Sequence, residues 1–220
     1  QAIGNEELQR SFRSTLQAFY SVIKTMDGYI KFALLTGVTK FGKISVFSAL
    51  NNLMDLSMWN DYVALCGITE QELRDNFKEG IEELAKAQRM TYEETCAVLK
   101  ENYDGYHFTE NSIGIYNPFS LLCTFKYNKF GSYWFETGTP TYLVELLKRT
   151  NYDLYDMANT ETDADVLNSI DSASNNPIPV IYQSGYLTIK GYDPEFGIYR
   201  LGFPNKEVEE GFVKYLLPFY

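Results

Sequence analysis

A short apolar run that leads into a glycine-containing loop constrains the fold of this chain more than any other feature. Residues 32–45 read FALLTGVTKFGKIS, and the first part has the continuous apolar character of a strand covered on both faces. Apolar residues at helical spacing over 5–27 predict a helix before it, and ISVFSALNNLMDL predicts a helix after it. This order is typical of an α/β sheet. Because one strand cannot make a stable sheet, residues 1–60 predict only part of such a domain.

The same stretch resembles a phosphate-binding loop. Gly37, four residues, and then Gly42-Lys43 follow the signature GxxxxGK[ST], but Ile44 occupies the position of the hydroxyl residue that binds Mg²⁺. Such a site also needs a partner strand that ends in an acid, whereas FALLTG ends in Thr-Gly and IPVIYQ ends in Gln. We therefore interpret the stretch as a glycine-rich turn rather than a working phosphate loop.

The middle of the chain, residues 61–150, has a helical pattern. Its helix-start signals are two capping boxes and two cap-plus-proline pairs: Thr69 with Glu72, Thr91 with Glu94, Asn117-Pro118 and Thr139-Pro140. Aromatic connectors, NYDGYHF and SYWFETG, separate these predicted helices. We therefore expect residues 61–150 to be a helical region.

The last third, residues 151–220, predicts a small α+β module. It begins with the polar stretch NTETDADVLNSIDSASNN, for which we predict loop and short helix, with the acidic cluster TETDAD as solvated surface. YLTIKG and GIYRLGF then predict a β-hairpin, and Asn205 predicts a cap for a closing helix. A short helix, a hairpin and a helix resemble a winged helix-turn-helix.

Charge disfavours nucleic acid as a partner of this segment. The net charge is −10, and it runs from +2 over residues 1–60 (six basic, four acidic) through −5 over 61–150 (nine and fourteen) to −7 over 151–220 (four and eleven). Lys190 and Arg200 of the hairpin are the candidate phosphate contacts, but Asp193 and Glu195 occupy its tip. Because phosphate binding depends on concentrated positive charge, we favour a protein-facing role or a role in intramolecular packing for the hairpin.

Other residue types indicate no metal site. His107 is the only histidine, in YDGYHF, and no Cys or His lies at ligand spacing from it, so we interpret it as a packed connector residue; a role as a base stays open. Cys66, Cys96 and Cys123 are odd in number and widely spaced, which is typical of thiols in a reducing compartment. With no apolar run of membrane length and no signal-peptide pattern, we expect a cytoplasmic location.

Six segments together resemble a bacterial family of predicted AAA-ATPase-like proteins along the whole chain. They are FALLTGVTKFGKISVFSALNNLMDLS, YDGYHF, YNPFSLL, YWFETGTPTYLVELLK, PIPVIYQSGYLTIKGYD and YRLGFPNKEVEEGF. Full-length members resemble a P-loop ATPase followed by a PD-(D/E)XK nuclease-like domain. The resemblance places this chain after the Walker B segment, of the type VDEYDKP, and before the nuclease-like domain.

That resemblance implies which part of a longer parent protein each range of the chain forms. It implies that residues 1–60 are the C-terminal part of a P-loop core, that 61–150 form a helical lid, and that 151–220 form a winged-helix-like module. Thr36 and Gly37, with Thr39 and Lys40 close by, then match by position the sensor end of the strand after Walker B, where a hydroxyl orients water near the γ-phosphate. ATP and Mg²⁺ are implied for the parent, and no cofactor is implied for this segment.

These observations leave three hypotheses. The leading one is a portion of an ATPase that lacks Walker A and Walker B and is inactive alone, with a predominantly helical α+β fold. Its expected partners are the N-terminal ATPase half and the nuclease-like domain, and an uncovered apolar strand at 32–37 predicts self-association. The second is a winged-helix module that binds protein or nucleic acid without catalysis. The third is a nucleotide-independent enzyme that uses His107.

Overall fold

The computed structural model of the chain describes residues 6–37, 53–136, 141–150, 152, 160–168 and 176–216. Within these ranges the fold is α+β and mostly helical, with a small antiparallel sheet, as the sequence predicts. Helix α1 spans Glu6–Thr25 and is followed by a 3₁₀ turn at Asp27–Tyr29. The helix predicted over 5–27 is thereby confirmed. Most of the second predicted helix, over residues 44–56, lies outside the described residues.

The predicted strand at 32–37 does not form. These residues adopt no regular secondary structure, and the side chains of residues 31–37 are exposed. The physical reason is the absence of a neighbour: a strand is stabilised by ladder hydrogen bonds to another strand, and no described residue pairs with this segment. The apolar character of the segment was therefore correctly identified, but its conformation was not.

Four helices build the first core. They are α2 (Glu70–Asn76), α3 (Lys78–Gln88), α4 (Tyr92–Tyr103) and α5 (Pro118–Tyr127). Both predicted capping boxes form, at Thr69 and at Thr91, and the Asn117 side chain accepts from the backbone at the start of α5. Such caps satisfy backbone N–H groups that a helix leaves free. The helices bury one apolar cluster, which comprises Leu73, Ile81, Leu84, Cys96, Leu99, Tyr103, Tyr116 and Leu121.

A second core packs against one face of the sheet. Its elements are α6 (Tyr133–Glu136), α7 (Thr141–Thr150), β1 (Thr160–Asp163), α8 (Ala164–Leu167), α9 (Ile178–Gln183), β2 (Thr188–Asp193), β3 (Ile198–Gly202) and α10 (Lys206–Leu216). The strand order is β1-β3-β2, all antiparallel, so β3 is central. Helix α7, which sequence analysis placed with residues 61–150, contributes Leu143 and Leu147 to this second core. The predicted hairpin is confirmed as β2 and β3.

Strand β1 was not predicted. It lies in the TETDAD stretch. Buried and exposed residues alternate there, with Thr160 and Thr162 buried and Glu161 and Asp163 exposed. Two threonines supply the buried face, so the alternation was hidden by the polar composition. The partner strand β3 lies almost forty residues further along the chain, with Glu161 opposite Arg200. The prediction of solvated surface for TETDAD is therefore correct for Glu161 and Asp163 and wrong for Thr160 and Thr162.

Candidate functional site

The candidate nucleotide-proximal segment lies directly after α1. Its predicted residues Thr36 and Gly37 are exposed, and Thr39 and Lys40 lie outside the described residues. Before Thr36, the segment presents large apolar side chains to solvent: Tyr29 is 85% exposed and Phe32 is 81% exposed. One face of α1 also presents apolar side chains to solvent, namely Phe12, Phe19 and Val22, and Met26 just after the helix is exposed as well. Together these residues, with Ile30, Leu34 and Leu35, form the surface that we call the 12–35 apolar surface.

Lys190, one of the two candidate phosphate contacts, bonds within the molecule. Its Nζ donates a hydrogen bond to the carbonyl oxygen of Pro204, at 3.1 Å, although the residue as a whole is exposed. Burial of the ammonium group lowers the pKa of Lys190, while the nearby carboxylate of Asp104 opposes that shift. The charge of Lys190 is thus directed into the molecule. This weakens its assignment as a nucleic-acid contact.

Arg200 lies on the solvent face of the sheet. Residue 191 is a glycine, and a Cβ there would lie only 2.7 Å from a guanidinium nitrogen of Arg200, so the arginine packs flat against this backbone. A β-bulge between Ile189 and Gly191 sets this register. Arg200 thus packs beside Gly191, the residue that follows Lys190, and the role of Lys190 and Arg200 as phosphate contacts stays a prediction.

The YDGYHF connector joins the helical core to the sheet. The His107 N–H donates to Thr188 Oγ1 at 2.7 Å, and the Thr188 hydroxyl donates to the His107 carbonyl at 2.8 Å. The Nδ1 of His107 lies 2.8 Å from the carbonyl oxygen of Ser112, so this nitrogen carries the proton. His107 is half-buried and hydrogen-bonded on both its backbone and its ring. The geometry agrees with the interpretation of His107 as a packed connector residue.

A buried carboxylate lies beside this connector. Asp104 follows α4 directly, and Lys100 Nζ lies 3.9 Å from its Oδ2. Burial raises the pKa of Asp104, and the Gly105 N–H and Lys100 oppose the shift. Its Oδ1 has no hydrogen-bond partner among the described residues. A Cβ at Gly114 would lie 2.8 Å from both carboxylate oxygens, so this position requires a glycine.

Glu207, in α10, is a buried acid that the sequence does not single out. Its side chain is almost fully buried, and Oε1 accepts hydrogen bonds from Ser120 Oγ at 2.9 Å and from the Trp134 N–H at 3.0 Å. Burial raises the pKa of Glu207, while these donors oppose the shift. The carboxylate thereby connects α10 with α5 and with α6. No local sequence pattern distinguishes Glu207 from its exposed neighbours Glu209 and Glu210.

Replacement of Thr188 by valine is expected to lower the free energy of unfolding by about 2–3 kcal/mol, because it leaves a buried N–H and C=O of His107 without their partner. Urea denaturation measures the change. Thr162→Val is the matched control, since Thr162 is also buried in the sheet and makes no side-chain hydrogen bond to a described residue. Equal losses in the two variants would contradict the assigned role of Thr188.

Metal binding and membrane insertion find no support in the described part of the chain. No group of three or more His, Cys, Asp or Glu side chains there has the arrangement of a metal site. None of the helices in the described ranges combines the length and the apolar character that crossing a membrane requires.

Part of the chain matches a known protein family. Residues 1–47 match the family model of predicted AAA-ATPases. The matched stretch contains α1, the 12–35 apolar surface and Thr36. The chain is also 37% identical over 214 residues to an uncharacterised protein in the vnfD 5′ region of Azotobacter chroococcum mcd 1. That match covers 96% of this chain and 39% of the relative, so the chain spans well under half of the length of this relative. No solved structure matches.

Proposed function

We propose that this chain is part of a predicted AAA-type ATPase and supplies the sensor side of its nucleotide site, its helical lid and a winged-helix-like module. In this proposal Walker A, Walker B and the bound ATP and Mg²⁺ belong to another part of the parent, and the chain alone is inactive. The 12–35 apolar surface carries the proposal. It coincides with the stretch that matches the predicted AAA-ATPase family.

Exposure of the 12–35 apolar surface to water is unfavourable in free energy. Nine large apolar side chains between residues 12 and 35 are exposed, including Phe19, Tyr29 and Phe32. Burial of one such side chain contributes about 1.5–3 kcal/mol, and contiguous exposed apolar surface of this kind marks an interaction site. The rest of a nucleotide-binding core is a partner that would cover it. In the chain alone, the same surface favours self-association.

Thr36 gives this surface its chemical role. A threonine hydroxyl directly after an apolar segment that another part of the parent covers is able to donate a hydrogen bond to a γ-phosphate oxygen or to hold the attacking water. Such a group acts in the transition state, so its removal lowers turnover more than affinity. We assign Gly37, Thr39 and Lys40 to the same edge of the site by their position in the sequence.

The strand order supports the winged-helix-like part of the proposal. A winged helix has a three-stranded antiparallel sheet in which the last strand lies between the other two, and β1-β3-β2 has this order. A hairpin that joins β2 to β3 takes the position of a wing, and α9 precedes β2. However, Ile178, Pro179, Val180 and Ile181 of α9 are all buried, so this helix presents little surface to a groove of DNA. The second candidate function, a binding module without catalysis, is therefore proposed for protein rather than nucleic acid.

ATP binding by the parent tests the proposal. The chain of residues 1–220 is expected to show no measurable heat on titration with ATP and Mg²⁺, whereas the protein encoded by the complete reading frame binds and hydrolyses ATP. In that longer protein Thr36→Ala is expected to lower turnover by roughly tenfold or more with little change in affinity. Thr15→Ala is the matched control, because Thr15 is an exposed threonine of α1 whose hydroxyl bonds only to its own helix.

Three results would contradict the proposal. Tight binding of ATP by residues 1–220 alone would show that no essential part is missing. A complete reading frame without a GxxxxGK[ST] segment and an acid-ended strand would remove the proposed parentage. Equal effects of Thr36→Ala and Thr15→Ala on turnover would remove the role of Thr36 while leaving the ATPase itself.

A further inference from the structure

The exposed face of the small sheet contains a groove at the hairpin end. The groove has a volume of about 490 Å³ and is lined by Glu161, Tyr192, Asp193, Pro194, Phe196, Ile198 and Arg200. We call it the hairpin groove. Ile198 and Arg200 alternate along β3 with Tyr199 and Leu201, which belong to the second core, so Ile198 and Arg200 line the groove from the other face of the sheet. The proposed ATPase function makes no use of it.

The hairpin groove combines aromatic walls with carboxylates. Phe196 at the tip of the hairpin is 71% exposed, and the ring of Tyr192, at the edge of the second core, is tilted against that of Tyr199 at a centroid distance of 4.7 Å. The turn itself is fixed, because Asp193 Oδ1 accepts hydrogen bonds from the N–H groups of Glu195 and Phe196. A rigid turn that holds an aromatic ring in water is typical of a binding surface.

The charge of the groove indicates the kind of partner. Glu161 and Arg200 are directly opposite each other on β1 and β3, so Arg200 weakens, without removing, the attraction of Glu161 for a cation. Asp193 and Glu195 are then left at the tip, while the ammonium group of Lys190 is directed away to Pro204. The surrounding residues 151–220 carry −7 from four basic and eleven acidic residues.

We propose that the hairpin groove is a docking surface for a basic segment of a partner protein. A lysine or arginine of that segment lies over Phe196, where the ring face attracts a cation, and close to the carboxylates of Glu161 and Asp193. An apolar part of the segment contacts Tyr192 and Ile198. Nucleic acid is the wrong partner for this surface, because its phosphates are repelled by the acids at the hairpin tip.

A labelled peptide provides the test. The probe is a short fluorescein-labelled peptide of alternating lysine and serine, and binding to residues 1–220 is followed by fluorescence anisotropy at low and at moderate salt. We expect binding that weakens as salt rises. The double variant Glu161→Gln with Asp193→Asn is expected to weaken it roughly tenfold, since two attractive charges are lost. Asparagine at 193 keeps the oxygen that accepts from the turn, so the hairpin fold is retained.

Two further variants make the test specific. Glu209→Gln with Glu210→Gln removes the same charge from the exposed face of α10, outside the groove, and is expected to change affinity by less than about twofold. Arg200→Gln removes a repelling cation from the groove and is expected to strengthen binding by a few-fold, on the order of 3-fold. Weaker binding by Arg200→Gln would mean that the groove prefers an anion.

Absence of binding, equal weakening by the α10 double variant, or tighter binding of a glutamate–serine peptide or of duplex DNA would each overturn the docking proposal. None of these results bears on ATP turnover by the complete protein, so a failure here is distinguishable from a failure of the proposed ATPase function.

Discussion

Replacement of Gly105 by alanine is expected to lower the free energy of unfolding by about 3–5 kcal/mol. Gly105 has a φ of +102°, which an L-residue with a side chain rarely adopts. A Cβ there would also lie 2.2 Å from the carbonyl oxygen of Pro204, which is backbone and has little freedom to move. The substitution therefore combines conformational strain with a steric overlap. Thermal and urea denaturation measure the loss.

Two other glycines separate these contributions. Gly197 also has a positive φ, of 67°, but a Cβ there would approach only the hydroxyl of Tyr192, at 4.0 Å. Gly197→Ala is therefore expected to cost about 1–2 kcal/mol through strain alone. Gly28 has open space around it, and Gly28→Ala is expected to be neutral within about 0.5 kcal/mol. A loss for Gly105→Ala no larger than that for Gly197→Ala would contradict the close approach to Pro204.

Replacement of Glu207 by alanine is expected to lower the free energy of unfolding by about 2–4 kcal/mol, because it removes an acceptor that buried donors share. Ser120 Oγ and the Trp134 N–H both bond to Glu207 Oε1, from α5 and α6 respectively. The loss therefore affects the junction between the two cores. Glu210→Ala is the control on the same helix, since Glu210 is exposed and forms an exposed ion pair with Lys214, at 3.6 Å. It is expected to change stability by less than about 0.5 kcal/mol.

The pH dependence of stability provides a second measurement of Glu207. Burial raises its pKa above 4.5, so the folded chain binds this proton at a higher pH than the unfolded chain. The favourable contribution of the proton is complete below the unfolded pKa and is lost as pH rises through the folded pKa. Asp104 shifts in the same direction. The difference between wild type and Glu207→Gln isolates Glu207, and an unchanged pH profile in this variant would contradict the raised pKa.

Local signals predicted the helices well. A capping box is complete within four residues, so Thr69 and Thr91 were identifiable without any knowledge of the fold. The same holds for Asn117 before Pro118 and for Asn205, whose Oδ1 accepts from the Val208 N–H at 3.1 Å. The hairpin was predictable for a similar reason, since both strands and the turn lie within one short stretch.

Non-local pairing was the source of the errors. Residues 32–37 have the composition of a strand, but no described strand lies beside them, and composition supplies no partner. β1 shows the opposite case, since a polar tetrapeptide became a strand when β3 provided its ladder. The same limit applies to Lys190, whose hydrogen bond to the carbonyl oxygen of Pro204 depends on packing between distant residues that no local pattern encodes.

The sequence by itself determined the α+β class, the helix starts, the hairpin, the acidic C-terminal third and the resemblance to predicted AAA-ATPases. Each of these depends on residues close together in the chain or on composition. The tertiary structure alone decided which acids are buried, which cations are free and where apolar surface stays uncovered. Glu207 and Glu210 are three residues apart on one helix, yet one is buried against Ser120 and the other is in solvent. That difference arises from packing between distant segments, which no local pattern encodes.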